Sequence, residues 1–206
     1  QLEQELREAA LELQALTIQG EADRRLLEPA QAQLAEIEAY LLQAMRATPP
    51  ESDGAIMEWV GERIEPNVPN VRLARLVVRS LLEATCEGTP SSTKLHAAIT
   101  ERAKLLRKFL QVGKESEQMT LMFNSLYEVQ DYCARKDWPE KLVKKLFYQL
   151  YEADVILEEA FTVWREDTSD QGANKMKALV QVNEFLQWLE TTEEEGFERR
   201  PAQEIL

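Results

Sequence analysis

Apolar residues in this chain recur at intervals of three and four and nowhere alternate. Leu2, Leu6, Ala9, Leu13 and Leu16 form one such series, and Leu27, Ala30, Leu34, Ile37, Leu41 and Ala44 the next. A helix of 3.6 residues per turn gathers these positions on one stripe, whereas a strand would scatter them over both faces. The spacing predicts an all-α protein. Only 7 Gly and 8 Pro among 206 residues argue the same way, because a many-stranded protein needs more turn-formers.

The stripes continue to the end of the chain. The first stops at Gly20, and Pro29 belongs in the first turn of the second, where its missing N–H costs nothing. These two helices can pair as a hairpin or form a short coiled coil of a longer parent chain. The breaker Thr48-Pro49-Pro50-Glu51-Ser52-Asp53-Gly54 separates residues 1–47 from a domain over 51–195, leaving 196–206 as a tail. Within the domain Ile56, Trp59, Val60 and Ile64 form a stripe, then Leu73, Leu76, Val77, Ser80, Leu81 and Ala84. Ser91 or Ser92 caps one helix running from Leu95 through Ile99, Ala103, Leu106 and Leu110 to Gly113. Residues 115–134 and a helix opening at Pro139 follow, and Gln171 to Glu190 closes the series. Successive helices joined by short loops predict a HEAT-like α-solenoid of stacked antiparallel pairs, with an irregular bundle as the alternative.

Charge narrows the function. The net charge is −13. Residues 51–150 are nearly neutral, with 15 Lys/Arg against 14 Asp/Glu, while residues 151–206 hold 5 against 14. Such a chain repels polyanions, so nucleic acid is an unexpected partner. No apolar run reaches the length of a membrane span, and the two cysteines, Cys86 and Cys133, make neither a disulfide framework nor a metal motif. A cytoplasmic protein is expected.

Catalytic signatures are missing. The sequence has no glycine-rich phosphate loop, no CxxC, no HxxxH and no GxSxG, and His96 is its single imidazole. No catalytic residue, cofactor or metal is therefore assigned. The basic groupings Arg72/Arg75/Arg79, Arg102/Lys104/Arg107/Lys108 and Lys141/Lys144/Lys145 read as solvated helix faces or as partners of the acidic end. An RNA-contacting ridge would interleave them with aromatics, which they lack.

Two stretches stand apart. Residues 146–164 read LFYQLYEADVILEEAFTVW and residues 179–195 read LVQVNEFLQWLETTEEE. Phe161, Trp164, Phe185 and Trp188, together with Trp59, are expected in the core. Glu152, Asp154, Glu158, Glu159, Glu190, Glu193, Glu194 and Glu195 project outward as a surface complementary to a Lys/Arg-rich protein segment.

These blocks resemble the acidic–aromatic boxes of the two-tryptophan domain that ends several eukaryotic translation initiation factors, namely factor five, the epsilon subunit of the factor-two exchange factor, and factor four gamma. MEWVGERIEP (57–66), RLARLVVRSLLEATCEG (72–88), ERAKLLRKFL (101–110) and YEADVILEEAFTVWRE (151–166) look most like factor four gamma, and the likeness covers about residues 34–195. The resemblance implies a non-catalytic module of a translation initiation scaffold that docks MAP-kinase-interacting kinases, other initiation factors being reached through the rest of the parent chain. Sister families bind lysine-rich segments of the beta subunit of initiation factor two, so an exchange-control role is the alternative. The segment from Ser116 to Asp137 and the closing GFERRPAQEIL depart from the family pattern.

Overall fold

A computed structural model describes residues 31–66, 68–86, 90–169 and 172–195, and of residues 192–195 the helix backbone. The expected first helix, the hairpin it would make, Pro29 and the 196–206 tail lie outside the described residues. Helix α1 covers 31–46. It is followed by α2 (Asp53–Arg63), α3 (Asn70–Thr85), α4 (Ser92–Glu101), α5 (Ala103–Leu110), α6 (Glu115–Arg135), α7 (Leu142–Glu152), α8 (Glu158–Glu166) and α9 (Ala173–Glu195).

The chain is all-α and HEAT-like. One layer runs α3, α6, α8, and α1 joins its edge through Glu38, which faces Arg79, and through Arg46, which donates to the Glu83 carbonyl at 2.9 Å. The other layer runs α2, then α4 with α5, then α7 and α9. Between the layers lies one apolar core, from Ile37 in α1 to Leu189 in α9. Fully burying a side chain of Leu, Ile or Phe size contributes about 1.5–3 kcal/mol, which offsets the cost of ordering the helices.

Most stripes lie where their spacing puts them. Ile56, Val60, Leu73, Val77, Ser80 and Leu81 are buried, and Ser52 and Ser91 are N-caps whose hydroxyls accept from Ala55 and Lys94 backbone N–H groups at 3.2 Å. Trp59 differs from its expected core place. It lies half-buried on α2, stacked on Tyr40 at 3.8 Å with the Arg63 guanidinium 4.2 Å above its ring. An indole at the edge of a layer has one face for the core side and one for a cation.

The single helix expected from Leu95 to Gly113 is two helices, broken at Arg102. Arg102 is buried, and its guanidinium donates to Asp53 Oδ1 and to the Glu51 carbonyl, both at 2.7 Å. Asp53 Oδ2 in turn accepts the Leu105 N–H at 3.1 Å, in the first turn of α5. The break thus frees a helix N-terminus for a carboxylate from the preceding pair, a remote form of N-capping. Apolar spacing runs through the break unchanged, so the stripe alone does not reveal it.

Candidate functional site

The aromatic half of the two boxes builds one cluster. Phe161 and Phe185 approach at 5.3 Å, Phe147 and Trp164 at 5.0 Å, and Tyr151 and Trp188 at 5.8 Å, all edge-on. Phe161, Trp164 and Phe185 are fully buried, whereas Trp188 is half-buried on the flank of the cluster. Edge-to-face pairs contribute about 0.5–1.5 kcal/mol beyond area burial, so the cluster fixes α7, α8 and α9 relative to one another. Its contacts also set direction. Lys144 meets Glu184 at 2.6 Å and Tyr148 meets Trp188 at 5.9 Å, pairs that recur in the same order along both helices, so α7 and α9 run parallel. Their C-terminal ends therefore share one end of the domain.

That end carries the first acidic group. After α7 the backbone turns at Asp154, which takes a left-handed φ of 52°. Asp is among the residues that tolerate this region. The Val155 N–H closes back on the Leu150 carbonyl at 3.0 Å, and Val155 and Ile156 are both fully buried, pinning the turn from below. From above, Arg107 Nη1 donates to the Ala153 carbonyl and Gln111 Nε2 to the Asp154 carbonyl, both at 2.7 Å. The basic stretch of α5 thus holds the acidic turn through its backbone.

The acids are not equivalent. Asp154 and Glu159 are exposed, and Glu158 is partly exposed. Helix α8 has Leu157 as its N-cap, with no side-chain hydrogen bond there, and Glu158 and Glu159 place negative charge in its first turn, the positive end of the helix dipole. They therefore stabilise α8 as well as charge the surface. Glu152 turns partly inward, with one carboxylate oxygen enclosed, as is the Tyr148 hydroxyl. Burial, with Glu152 beside it, holds the Tyr148 phenol above its ordinary range. Glu190 is exposed and bonded to Arg165. The α9 backbone continues helical through Glu193, Glu194 and Glu195, about one to two turns beyond Trp188 at 1.5 Å per residue. Exposed Leu157 and Val112 add apolar surface on the two segments that meet at this end.

Among the basic groupings, Arg107 and Lys144 meet residues of the C-terminal quarter, whereas Arg75, Arg79 and Arg102 are engaged elsewhere. Arg75 and Arg79 do not pair with the acidic end. They reach across the α3–α6 interface to Glu128, which is fully buried and accepts from Arg75 Nε at 3.0 Å, Arg79 Nε at 2.8 Å and Arg135 Nη2 at 3.1 Å. Arg75 also meets Asp131 at 2.7 Å. Burial pushes the Glu128 carboxyl up, but the hydrogen bonds and charge of Arg79, then Arg135 and Arg75, outweigh it and hold the carboxyl below its ordinary value of 4.5. His96 Nδ1 lies 2.8 Å from Gln149 Oε1, a contact between α4 and α7. Cys86 and Cys133 are buried, and desolvation pushes their thiols up to about 11 and about 12.

Comparison with known families meets this end of the molecule. Residues 121–198, from within α6 through α9, match the family model described as W2: eIF4-gamma/eIF5/eIF2-epsilon. The chain carries a W2 domain. Eukaryotic translation initiation factor 4 gamma 2 of Homo sapiens is 28% identical over 176 residues, covering 80% of this chain and 19% of the relative. Factor 4 gamma 3 of Homo sapiens is 32% identical over 153 residues, covering 70% of this chain and 9% of the relative. Factor 4 gamma 1 of Mus musculus is 30% identical over 151 residues, covering 69% and 9%. The W2 domain is thus of the factor four gamma type, and the chain spans about a fifth or less of these relatives.

Of two lysines that shape the W2 end, only Lys175 is not singled out by the sequence. Lys175, buried on α9, donates to the Trp164 carbonyl and lies 3.7 Å from the centre of the Trp164 ring. Buried Lys144 holds the exposed carboxylate of Glu184. Lys144 thus pairs with an acid of the C-terminal quarter, one of the two roles expected for its grouping, whereas nothing local distinguishes Lys175 from a solvated cation. Among the described residues, no helix is long and apolar enough to cross a membrane.

Proposed function

We propose that this W2 domain is a non-catalytic docking module of a cytoplasmic translation initiation scaffold, receiving a Lys/Arg-rich segment of a protein partner at the end where α7 and α9 terminate. The observation that carries the reading is the parallel course of α7 and α9. It puts the 152–159 turn and the last turns of α9 at one end, over an aromatic cluster that keeps both rigid. Asp154, Glu158 and Glu159 form the first contact group, and Glu190, Glu193, Glu194 and Glu195 the second, with Glu152 contributing less because it turns inward. Single exposed pairs contribute about 0.2–1 kcal/mol, so affinity comes from several together and weakens with salt. Leu157 and Val112 offer apolar surface to the methylene stems of Lys and Arg.

The family resemblance makes a MAP-kinase-interacting kinase the first partner to test. Titration of its basic segment into the domain at physiological salt, with Asp154→Asn/Glu159→Gln as the comparison, tests the reading, and equal affinity for both proteins would refute it. A second reading rests on the breadth of the family, whose description includes factor five and the epsilon subunit of factor two's exchange factor. In it the same end binds the beta subunit of initiation factor two. Stimulated GDP release from factor two would favour that role, and an inert domain the scaffold.

A further inference from the structure

The outer face of α9 departs from what a stacked array of helices requires. Helix α9 is the last of the described helices and packs on α6, α7 and α8, so its opposite face turns outward. The outermost element of a solenoid ordinarily shows water a polar face. Here Met176 is 59% exposed and Val180 76%, the two most exposed large apolar side chains among the described residues. They lie one turn apart, with exposed Ala173 a further turn back and exposed Asn183 and Gln187 continuing the line. Spacings of three, four, three and four along one face are those of a helix-pair seam. Single exposed apolar side chains are ordinary, but a row of them on one helix marks a contact surface.

We infer that this face pairs with the same face of a second copy, α9 against α9, antiparallel about a two-fold axis at Val180. Val180 then meets its own counterpart, Met176 lies beside Asn183 of the other copy, and Ala173 beside Gln187. Charge selects this course. Glu184 lies on the α7 flank of α9, where Lys144 bonds it, and Lys177, seven residues earlier, shares that flank. The Glu184 side chain stays 78% exposed, and a carboxylate accepts from more than one cation. Lys177 is exposed and has no ion-pair partner among the described residues. An antiparallel pair brings like flanks together, so each Lys177 meets the Glu184 of the other copy, and the two-fold axis makes the contact twice. A parallel pair would not bring Lys177 to Glu184. Residues 173–191 offer a face about 28 Å long and about 10 Å wide, or about 300 Å² from each copy. That is well below the roughly 800 Å² per partner of a stable complex, so the pair is weak and reversible. The two acidic ends point in opposite directions and stay open, so the inference is independent of their docking role.

Sedimentation equilibrium of the full 206-residue chain at up to about 1 mM tests it. The wild type is expected to show a monomer-dimer equilibrium that weakens with salt. Val180→Asp should raise the dissociation constant about tenfold or more and leave the thermal midpoint in place, because that side chain lies outside the core. Cysteine cross-linking then reads the direction. Val180→Cys puts two thiols at the axis, within the roughly 4–7 Å between Cα atoms that a disulfide spans, whereas Gln187→Cys holds them about 21 Å apart. Under a mild thiol oxidant, Val180→Cys should form a disulfide dimer about tenfold faster than Gln187→Cys, with the wild type, whose Cys86 and Cys133 are buried, as the background. A chain that stays monomeric at about 1 mM would overturn the inference, as would a dimer that Val180→Asp leaves intact. Equal cross-linking of the two cysteines would overturn it too, since only a parallel pair brings both positions together.

Discussion

The Lys175 ammonium lies 3.7 Å from the centre of the Trp164 indole and bonds the carbonyl of that same residue, while Tyr127 closes the other side at 3.2 Å through its hydroxyl. One cation therefore satisfies a carbonyl in the last turn of α8 and packs on the most deeply buried tryptophan. A desolvated cation–π contact is worth about 2 kcal/mol, and a hydrogen bond to a charged group about 1.5–3 kcal/mol.

Lys175→Met keeps the stem and removes the charge. The expected loss is about 1–3 kcal/mol by denaturant unfolding, or about 2–12 °C in thermal midpoint for a domain of this size. An unchanged midpoint would mean that dehydrating the ammonium cancels both contacts.

Glu128 is the buried acid that three arginines converge on. Breaking a buried ion pair costs about 3–5 kcal/mol, and Glu128→Gln should approach that at neutral pH because the guanidiniums keep their charge. The sign with pH follows from its lowered folded value. Its stabilisation is complete above the ordinary value of 4.5 and is lost as pH falls through the lower folded value. Asp167 adds a separate decline, from 3.8 down to about 2, because the Tyr127 hydroxyl, then the Ser169 N–H and hydroxyl, hold its carboxylate ionised. The wild-type-minus-variant difference in unfolding free energy, measured from pH 7 to pH 2, should therefore shrink below 4.5, and a constant difference would contradict the assignment.

Asp53 joins the first helix pair to the second. Asp53→Ala leaves the α5 N-terminus uncapped and Arg102 buried with only the Glu51 carbonyl, so a loss of about 3–5 kcal/mol is expected. Asp53→Asn retains an acceptor and should lose less. Equal losses in the two variants, read by chemical denaturation, would deny the charge any part.

At the acidic end, Asp154→Asn/Glu159→Gln should weaken binding of a basic peptide about two- to tenfold and flatten its salt dependence. Glu184→Gln should leave binding unchanged, because Lys144 holds that carboxylate. Charge reversal is the poorer probe: Glu159→Lys sets a cation against the N-terminus of α8 and should itself cost about 0.3–1 kcal/mol. Isothermal titration at two salt concentrations, with thermal melts of each variant, separates these effects.

The fold was legible because apolar spacing survives without knowledge of any partner. Ile37, Leu41, Ile56, Val60, Leu73, Val77, Leu81 and Ile99 are buried in the places that their periods assign. Asp53, Arg102, Glu128 and Lys175 were not legible, since each is polar and each acts on a residue distant in sequence or across a helix interface. A pattern that scores apolar faces treats them as solvated. The acidic turn was legible as composition, but its inward Glu152 and the engaged Glu190 depend on Tyr148 and Arg165, which only packing brings near. The break at Arg102 escaped for the same reason.

The parallel course of α7 and α9 makes the acidic end a ruler. Packed helices lie about 8–10 Å apart, so the last turns of α7 and α9 stand one helix spacing from each other. An extended segment advances about 3.3 Å per residue and would meet both with basic residues about three apart, whereas a helical one would need them about six apart. Spacing of lysines along the partner, as much as their number, then decides which segments fit.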